Sequence, residues 1–246
     1  QNPMAGPYVV GVSSGAGLAV VVLTVAVGGA LPRLAVPAAA LGGGILLVAF
    51  VALLAGRARV RRTETLLLLG LALAAVCSAF TSVLVLTLPQ GPEGVLFWLM
   101  GSLAGAVWLD AVLVGAALAV GIAIGAWNAH ALDAILWGDE TARSVGVDVA
   151  RTRRVMLVAA TIPVAASVAV AGVIGFLGLM VPHIARGLVG SGHRRLLPAA
   201  AALGATWLLV ADAGARMLLA PAELPVGAIT SAVGAPFLVW ICLRRR

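Results

Sequence analysis

Long stretches without a charged side chain are the feature of this 246-residue sequence that most restricts its fold. Six of them run through the chain, at 1–32, 34–56, 65–92, 111–132, 155–185 and 224–243. About 20 apolar residues in a helix cross the hydrocarbon core of a bilayer, so each stretch is long enough to span a membrane. A membrane barrel would instead show segments of about ten residues that alternate in polarity, and the sequence has none. The sequence therefore predicts an all-α, polytopic membrane protein.

The apolar runs place the predicted spans at 8–29, 35–55, 65–88, 107–128, 155–190, 196–219 and 226–243. The run 155–190 fits either one long helix or two short helices that turn near "AGVIGFLG" (171–178). Two helices put fourteen of the sixteen arginines on one side of the membrane, whereas one helix divides them nine against seven. Because basic residues concentrate on the cytoplasmic side, two helices are predicted, the first about 17 residues long.

The prediction is then eight transmembrane helices with both ends of the chain in the cytoplasm. A shorter apolar stretch, 94–103, is too brief to cross and is expected at the membrane surface. Trp98 and Trp108 are expected at the outer interface, where amphipathic rings are favoured. The net charge of +7 comes entirely from arginines at the ends of apolar runs. These positions indicate topology signals that face the lipid bilayer, and no nucleic-acid partner is predicted.

Several small residues and both cysteines point to helix packing. "GSLAG" (101–105) and "GIAIG" (121–125) repeat small residues at four-residue spacing, which lets helix backbones approach closely. Cys77 and Cys242 each lie inside an apolar run, so they are predicted to be packing residues and not a disulfide.

No catalytic constellation is present in the sequence. His130, His183 and His193 are scattered, with no carboxylate or cysteine at ligand spacing, so neither a metal nor a cofactor is predicted. The glycine runs 11–17 and 172–178 lack the lysine that a Walker phosphate loop requires, because the chain contains no lysine. The chain is therefore not predicted to be an enzyme. Its spans also carry few ionisable groups, which disfavours proton- or sodium-driven transport and indicates that a partner supplies the energy.

One short polar region interrupts this apolar chain. "WGDETARSVGVDVARTRR" (137–154) holds seven of the 25 charged residues. Gly138 and Gly146 divide it into two helix-compatible stretches, which predicts two short helices joined by a turn. The region is long for a simple connection, and long loops in compact proteins are usually functional. Two interpretations remain open: a solvated loop, or a docking surface that transmits the motion of a partner into the spans.

Five blocks of the sequence, in order, resemble the FecCD-type permeases of ABC importers, which carry iron chelates, haem or vitamin B12. The blocks are "NPMAGPYVVGVSSGAG" (2–17), "FWLMGSL" (97–103), "WGDETARSVGVD" (137–148), "AGVIGFLGLMVPHIARGLVGSGHRRLLP" (171–198) and "PAELPVGAITSAVGAPFLVW" (221–240). Members of the family have ten spans, and this chain matches from the third onward. The resemblance implies a single permease domain, 1–246, truncated at its N-terminus and carrying a cytoplasmic coupling segment at 131–152.

The resemblance also implies partners and a cargo. Two copies, or one copy with a similar permease, would enclose a pathway in a bacterial plasma membrane. Two cytoplasmic ABC ATPase subunits would supply the energy, and a substrate-binding protein would dock outside. Ferric siderophore is the expected cargo, with cobalamin or haem as alternatives. An ion-coupled secondary carrier and a non-transporting scaffold or non-functional remnant remain the contending interpretations.

In the family, the coupling segment meets the ATPases. The residues expected to contact them, through charge or a small apolar surface, are Asp139, Glu140, Ala142, Arg143, Val145 and Val147. Gly146 is expected to permit the turn between the two short helices, since glycine adopts positive φ at little cost.

The family's fifth and tenth spans line the central pathway, and here they correspond to 65–88 and 226–243. The polar positions expected to face it are Ser78, Thr81, Ser82, Thr230 and Ser231. The alternative is that these hydroxyls bond to carbonyl groups of their own helices, as Ser and Thr often do.

Arg216 lies on the predicted outer side, where arginine is otherwise nearly absent. Asp212 precedes it by four residues, so the two can pair on one helix face. In the vitamin B12 branch of the family, an arginine at the matching position meets a glutamate of the docked binding protein. Arg216 is therefore the candidate docking residue, with the intrahelical pair as the alternative.

Overall fold

The computed structural model describes residues 11–28, 32, 34–57, 63–88 and 93–244. Every regular element in these ranges is helical. The helices are α1 (Val12–Val27), α2 (Ala35–Arg57), α3 (Thr63–Val85), α4 (Glu93–Leu99), α5 (Trp108–Trp127), α6 (Ala129–Leu136), α7 (Asp139–Ser144), α8 (Val149–Ala171), α9 (Leu177–Val189), α10 (His193–Met217) and α11 (Val226–Arg244).

Eight of these helices are apolar, which confirms the predicted all-α, polytopic architecture. Five of them, α2, α3, α5, α8 and α10, are long and apolar enough to cross a membrane. The other three, α1, α9 and α11, are apolar but have shorter apolar lengths. Helix α4 has seven residues, too few to cross, as predicted.

The ambiguous run 155–190 forms two helices, so that prediction is confirmed. Helix α8 ends at Ala171, and α9 begins at Leu177. Gly172 ends α8 with φ 69°, a left-handed value that suits glycine. Helix α8 has 23 residues, more than expected, because it begins at Val149 within the polar region.

The main core is built from small and β-branched residues of α1, α2 and α8. Ala16, Val20, Ala40, Val168 and Ala169 form one buried cluster. Helices α1 and α2 approach closely at two glycines, since a Cβ on Gly15 would lie 2.6 Å from the carbonyl oxygen of Gly43. The glycine run 11–17 therefore serves helix packing.

Two predictions about packing residues are confirmed. Cys77 is buried and free, as expected of a packing residue. Gly121 and Gly125 bring α5 close to its neighbours, because a Cβ at these positions would meet Ala159 of α8 and Leu197 of α10. The side chain of Cys242 and the arginines at 58–62 and 245–246 lie outside the described residues.

One prediction about the region around α4 is wrong. "GSLAG" (101–105) is a loop and not a helix contact, and Gly101 has φ 80°. Trp98 is partly buried and packs against the core cluster of α1, α2 and α8, and its place at the outer interface stays a prediction. Trp108, by contrast, is almost fully exposed.

Three segments meet at the end of α8 remote from α7, and we call this the glycine junction (Gly101, Gly172 and Gly227). The amide of Ser102 donates to the carbonyl oxygen of Ala171 over 2.9 Å. A Cβ on Gly172 would collide with the carbonyl oxygen of Trp98, and one on Gly227 with that of Met100. The junction thus joins α4, the break between α8 and α9, and the start of α11 backbone to backbone.

Candidate functional site

Segment 131–152 contains most of α6, all of α7 and the start of α8, with breaks at Gly138 and Gly146 as predicted. The turn at Gly146 joins α7 to the 23-residue α8 and not to a second short helix, so that part of the prediction is wrong. Gly138 precedes α7 with φ 119°, and Gly146 follows it with φ 83°. The amide of Gly146 donates to the carbonyl oxygen of Arg143, and that of Val147 donates to Ala142. These two bonds satisfy carbonyl groups that would otherwise be unpaired at the end of α7.

The segment has a small core of its own. Ile135 of α6, Ala142 of α7 and Val149 of α8 are buried together, and Val147 packs against them. Ala142 has no exposed surface at all. The prediction that Ala142 offers surface to a partner is therefore wrong, because its methyl group fills the space between α6 and α8.

An ion pair links α7 to the start of α8. The guanidinium of Arg153 donates to Asp139 over 2.8 Å, and both side chains remain partly exposed. Asp139 is thus already engaged inside the chain. This bond is one of the contacts that join α7 to α8, beside the buried contact of Ala142 with Val149.

The outward side of α7 carries opposite charges beside apolar surface, and we call it the α7 face (Trp137, Glu140, Arg143 and Val145). Glu140 and Arg143 are exposed. Trp137 is 83% exposed and Val145 is 66% exposed. Exposed Trp and Arg are the residue types that contribute most to protein interfaces. This arrangement can bind a protein surface but offers no group placed for catalysis.

A contact that the sequence did not reveal joins α6 to α10. One carboxylate oxygen of Asp133 accepts a hydrogen bond from the backbone amide of His193 (3.0 Å) and lies 2.6 Å from its Nδ1. Partial burial raises the pKa of Asp133, but the hydrogen bonds from His193 outweigh it and hold the pKa below its usual value. The two residues are 60 positions apart, so no local spacing could have predicted their approach.

The five predicted pathway residues divide into two groups. Ser78 and Ser82 are exposed on this chain, and Thr81 and Ser231 are partly exposed. Thr230 is only 1% exposed, so the prediction that it faces a pathway is wrong. Its hydroxyl donates instead to the carbonyl oxygen of Gly227, at the base of α11.

The hydroxyls of α3 also bond to their own helix. Thr81 donates to the carbonyl oxygen of Cys77 over 2.8 Å, and Ser82 donates to that of Ser78 over 3.0 Å. Such bonds still leave the hydroxyl oxygen available to water or cargo. For Ser78, Thr81, Ser82 and Ser231 the pathway role stays a prediction.

Arg216 and Asp212 form the intrahelical pair that their spacing allows. The Nε of Arg216 lies 2.9 Å from one carboxylate oxygen, and a terminal nitrogen lies 3.4 Å from the other. The arginine side chain is nevertheless 46% exposed. Pairing with Asp212 therefore holds the guanidinium in place without covering it, and its docking role stays a prediction.

Comparison with known proteins decides the family. Residues 1–244 match the FecCD transport family. This chain belongs to that family. A solved structure of a metal-chelate type ABC transporter in an inward-facing conformation is 28% identical, with a TM-score of 0.89, and covers 99% of this chain and 77% of its own.

Three relatives show the range of FecCD cargoes. The hemin transport system permease protein HmuU of Yersinia pestis is 39% identical, over 100% of this chain and 75% of HmuU. The cobalamin import system permease protein BtuC of Halobacterium salinarum is 40% identical, over 98% of this chain and 64% of BtuC. The Fe(3+) dicitrate transport system permease protein FecD of Escherichia coli is 37% identical, over 100% of this chain and 76% of FecD. The resemblance found in the five sequence blocks is thus confirmed, and the chain is an ABC transporter permease.

Proposed function

We propose that this chain is the membrane-spanning subunit of an importer that brings a ferric siderophore through a bacterial plasma membrane. The match to the FecCD family over nearly the whole chain is the observation that carries the proposal. Haemin, cobalamin and ferric dicitrate, named for its relatives, are all metals held in an organic ligand. That shared chemistry supports a metal chelate as the cargo, with haem and cobalamin as the alternatives to a siderophore.

Two cytoplasmic ATPase subunits supply the energy in this proposal, and the α7 face is where one of them docks. Glu140 and Arg143 offer charges of both signs, which orient a partner, while Trp137 and Val145 offer apolar surface to bury. The small core beneath, with Ala142 at its centre, makes this face firm enough to transmit force. The charged region is therefore polar because it meets a soluble protein.

A second permease, identical or similar, would complete the pathway between two copies of α3 and α11. Helix α3 supports this by exposing several large apolar side chains, among them Leu71, Phe80 and Val83. Ser78, Thr81, Ser82 and Ser231 would supply hydroxyls along the pathway. At the opposite end of the molecule, Arg216 would receive the substrate-binding protein, since an exposed guanidinium can bind a carboxylate through two hydrogen bonds.

Uptake of defined chelates tests the cargo. Cells that lack their own chelate permeases would express this permease with its ATPase and binding protein and receive ferric siderophore, haemin or cobalamin. The proposal predicts accumulation of the siderophore iron, and none when the ATPase carries a substitution of its phosphate-loop lysine. If only haemin or cobalamin accumulates, that compound is the cargo and not a siderophore. If a chelate accumulates equally with the substituted ATPase, the permease is better explained as a secondary carrier.

The docking assignment has its own test in a matched pair of arginines. Arg143→Glu reverses a charge on the α7 face, whereas Arg194→Glu reverses an exposed charge on the first turn of α10, off that face. We expect the first variant to retain much less ATPase subunit on purification and the second to retain a wild-type amount. If both variants retain the same amount of ATPase subunit, the α7 face is not the docking site.

A further inference from the structure

Helix α10 connects the two regions that the proposed function assigns to opposite partners. It runs without interruption from His193 to Met217, 25 residues. At about 1.5 Å per residue it is roughly 37 Å long, which exceeds the thickness of the hydrocarbon core. Its first residue contacts α6, and its last turn carries Arg216. A displacement of the first turn of α10 would therefore also move its last turn, which carries Arg216.

The first turn of α10 is held from outside the helix. Gly192 occupies the capping position and has no side chain to cap with. Pro198 has no amide hydrogen, so the carbonyl group of Arg194 lacks its usual partner within the helix. Asp133 supplies the missing cap, since its carboxylate accepts a hydrogen bond from the His193 amide as a capping side chain would.

The same residue is anchored in segment 131–152. Asp133 lies on α6, two positions before Ile135, whose side chain is buried against Ala142 of α7. The contacts thus form a continuous series: the α7 face, the small core around Ala142, α6, Asp133, His193 and α10. Two links in this series join different helices: the buried contact between Ile135 and Ala142, and the hydrogen bonds between Asp133 and His193.

We propose that the contact between Asp133 and His193 is the joint through which movement of segment 131–152 drives α10, and that α10 carries this movement to the surface bearing Arg216. Asp133 is a positioning residue in this scheme: it acts on α10 and touches neither the cargo nor the ATPase. The inference rests on the proposed function as an ABC importer permease. It adds a path by which docking of the binding protein on one side is sensed by the ATPases on the other.

The test compares two aspartates of the same segment. Asp133 bonds across to α10, whereas Asp148 caps its own helix by accepting from the amide of Arg151. Permease, ATPase and binding protein would be reconstituted in lipid nanodiscs, and the stimulation of ATP hydrolysis by the binding protein measured. We expect Asp133→Ala to reduce the stimulation at least about fivefold, the lower range of coupling between distant sites.

Two control variants distinguish loss of the contact with α10 from the general effect of changing an aspartate in this segment. Asp148→Ala is expected to keep most of the wild-type stimulation, because the hydrogen bond of Asp148 stays within the first turn of α8. Asp133→Asn keeps an oxygen that can accept both bonds and is expected to retain more stimulation than Asp133→Ala. If the binding protein stimulates ATP hydrolysis fully in Asp133→Ala, or if Asp148→Ala loses as much stimulation, the proposed role of the contact between Asp133 and His193 is wrong. A wild-type complex that is never stimulated would instead count against the proposed function itself.

A distance measurement keeps the proposal testable if Asp133→Ala fails to assemble. Spin labels at His130 and Arg194, which are both exposed, report the separation of α6 from the start of α10. If the joint moves as one body, this distance stays the same with and without nucleotide in the complete complex. A distance that changes when nucleotide binds would overturn the proposal.

Discussion

Gly146 shows how a single backbone angle can matter more than space. It has φ 83°, and no atom lies within 4 Å of where a Cβ would be. A side chain here meets no steric obstacle except its own backbone, which costs about 1–2 kcal/mol in the left-handed region. The turn at the end of α7 therefore depends on the conformational freedom of this residue.

We expect Gly146→Val to reduce the amount of cargo imported per ATP hydrolysed, because a β-branched residue will not adopt the left-handed turn and α7 will shift. Gly146→Asn is the matched control, since Asn tolerates positive φ. Uptake and ATP hydrolysis measured in parallel distinguish the two variants. Normal import per ATP in the Val variant, at normal membrane abundance, would show that the turn has no part in coupling.

Arg216 carries a different prediction because its side chain is both paired and exposed. Arg216→Glu places two like charges four residues apart and removes the guanidinium that would receive a carboxylate. We expect slower association of the binding protein with the permease, with a weaker dependence on salt, as surface-plasmon resonance would measure. Asp212→Ala removes the acceptor of the same pair but keeps the arginine, so docking should persist. Unchanged docking by Arg216→Glu, with less folded permease, would favour a purely structural pair.

The role of a single residue could be predicted from the sequence only where it depends on neighbours along the chain. Gly146 was predictable because its turn depends on its own φ. Ala142 and Thr230 were misassigned because burial depends on which side of a helix meets its neighbours, and spacing alone does not decide that. The bond between Asp133 and His193 joins residues 60 positions apart, so it depends on the completed fold.

At the glycine junction, where helices and loops meet, the close backbone contacts leave room only for glycine. Gly227 has no positive φ, so only space restricts it, and a Cβ there would collide with the carbonyl oxygen of Met100. We expect Gly227→Ala to lower the yield and melting temperature of the folded permease, because overpacking a closed site costs about 1–3 kcal/mol.

Gly115, in the middle of α5, is the matched control. Nothing lies within 4 Å of its added Cβ, so Gly115→Ala should be neutral or mildly stabilising in a helix. Thermal unfolding in detergent, followed by fluorescence-detected size exclusion, compares the two variants. If Gly227→Ala melts like Gly115→Ala, the junction is looser than its geometry indicates.

The elements themselves were readable because a bilayer imposes a strong rule on sequence. Long apolar runs predicted all eight apolar helices, and the arginine distribution divided 155–190 correctly. The spacing of small residues in 101–105 led to a wrong prediction, because glycines in a loop can have the same spacing as glycines in a helix contact.

For the whole molecule, the pathway predicts a pattern of chemical accessibility. Single cysteines at Ser78 and Ser82 should react with a water-soluble thiol reagent, at rates that differ between nucleotide-free and nucleotide-bound complexes. A cysteine at Thr230 should not react, because that position is buried within one chain. Both native cysteines, Cys77 and Cys242, are replaced in all variants. Unreactive cysteines at both serines, or rapid reaction at Thr230, would contradict the assignment of α3 and α11.

The central claim is that this permease imports a chelate with energy taken from ATP bound by its partners. Proteoliposomes holding permease and ATPase, with binding protein and ferric siderophore on the outer side, test it directly. We expect siderophore to cross only when ATP is present on the ATPase side, and a protonophore to leave the rate unchanged. Siderophore movement driven by an imposed proton or sodium gradient without ATP would contradict it.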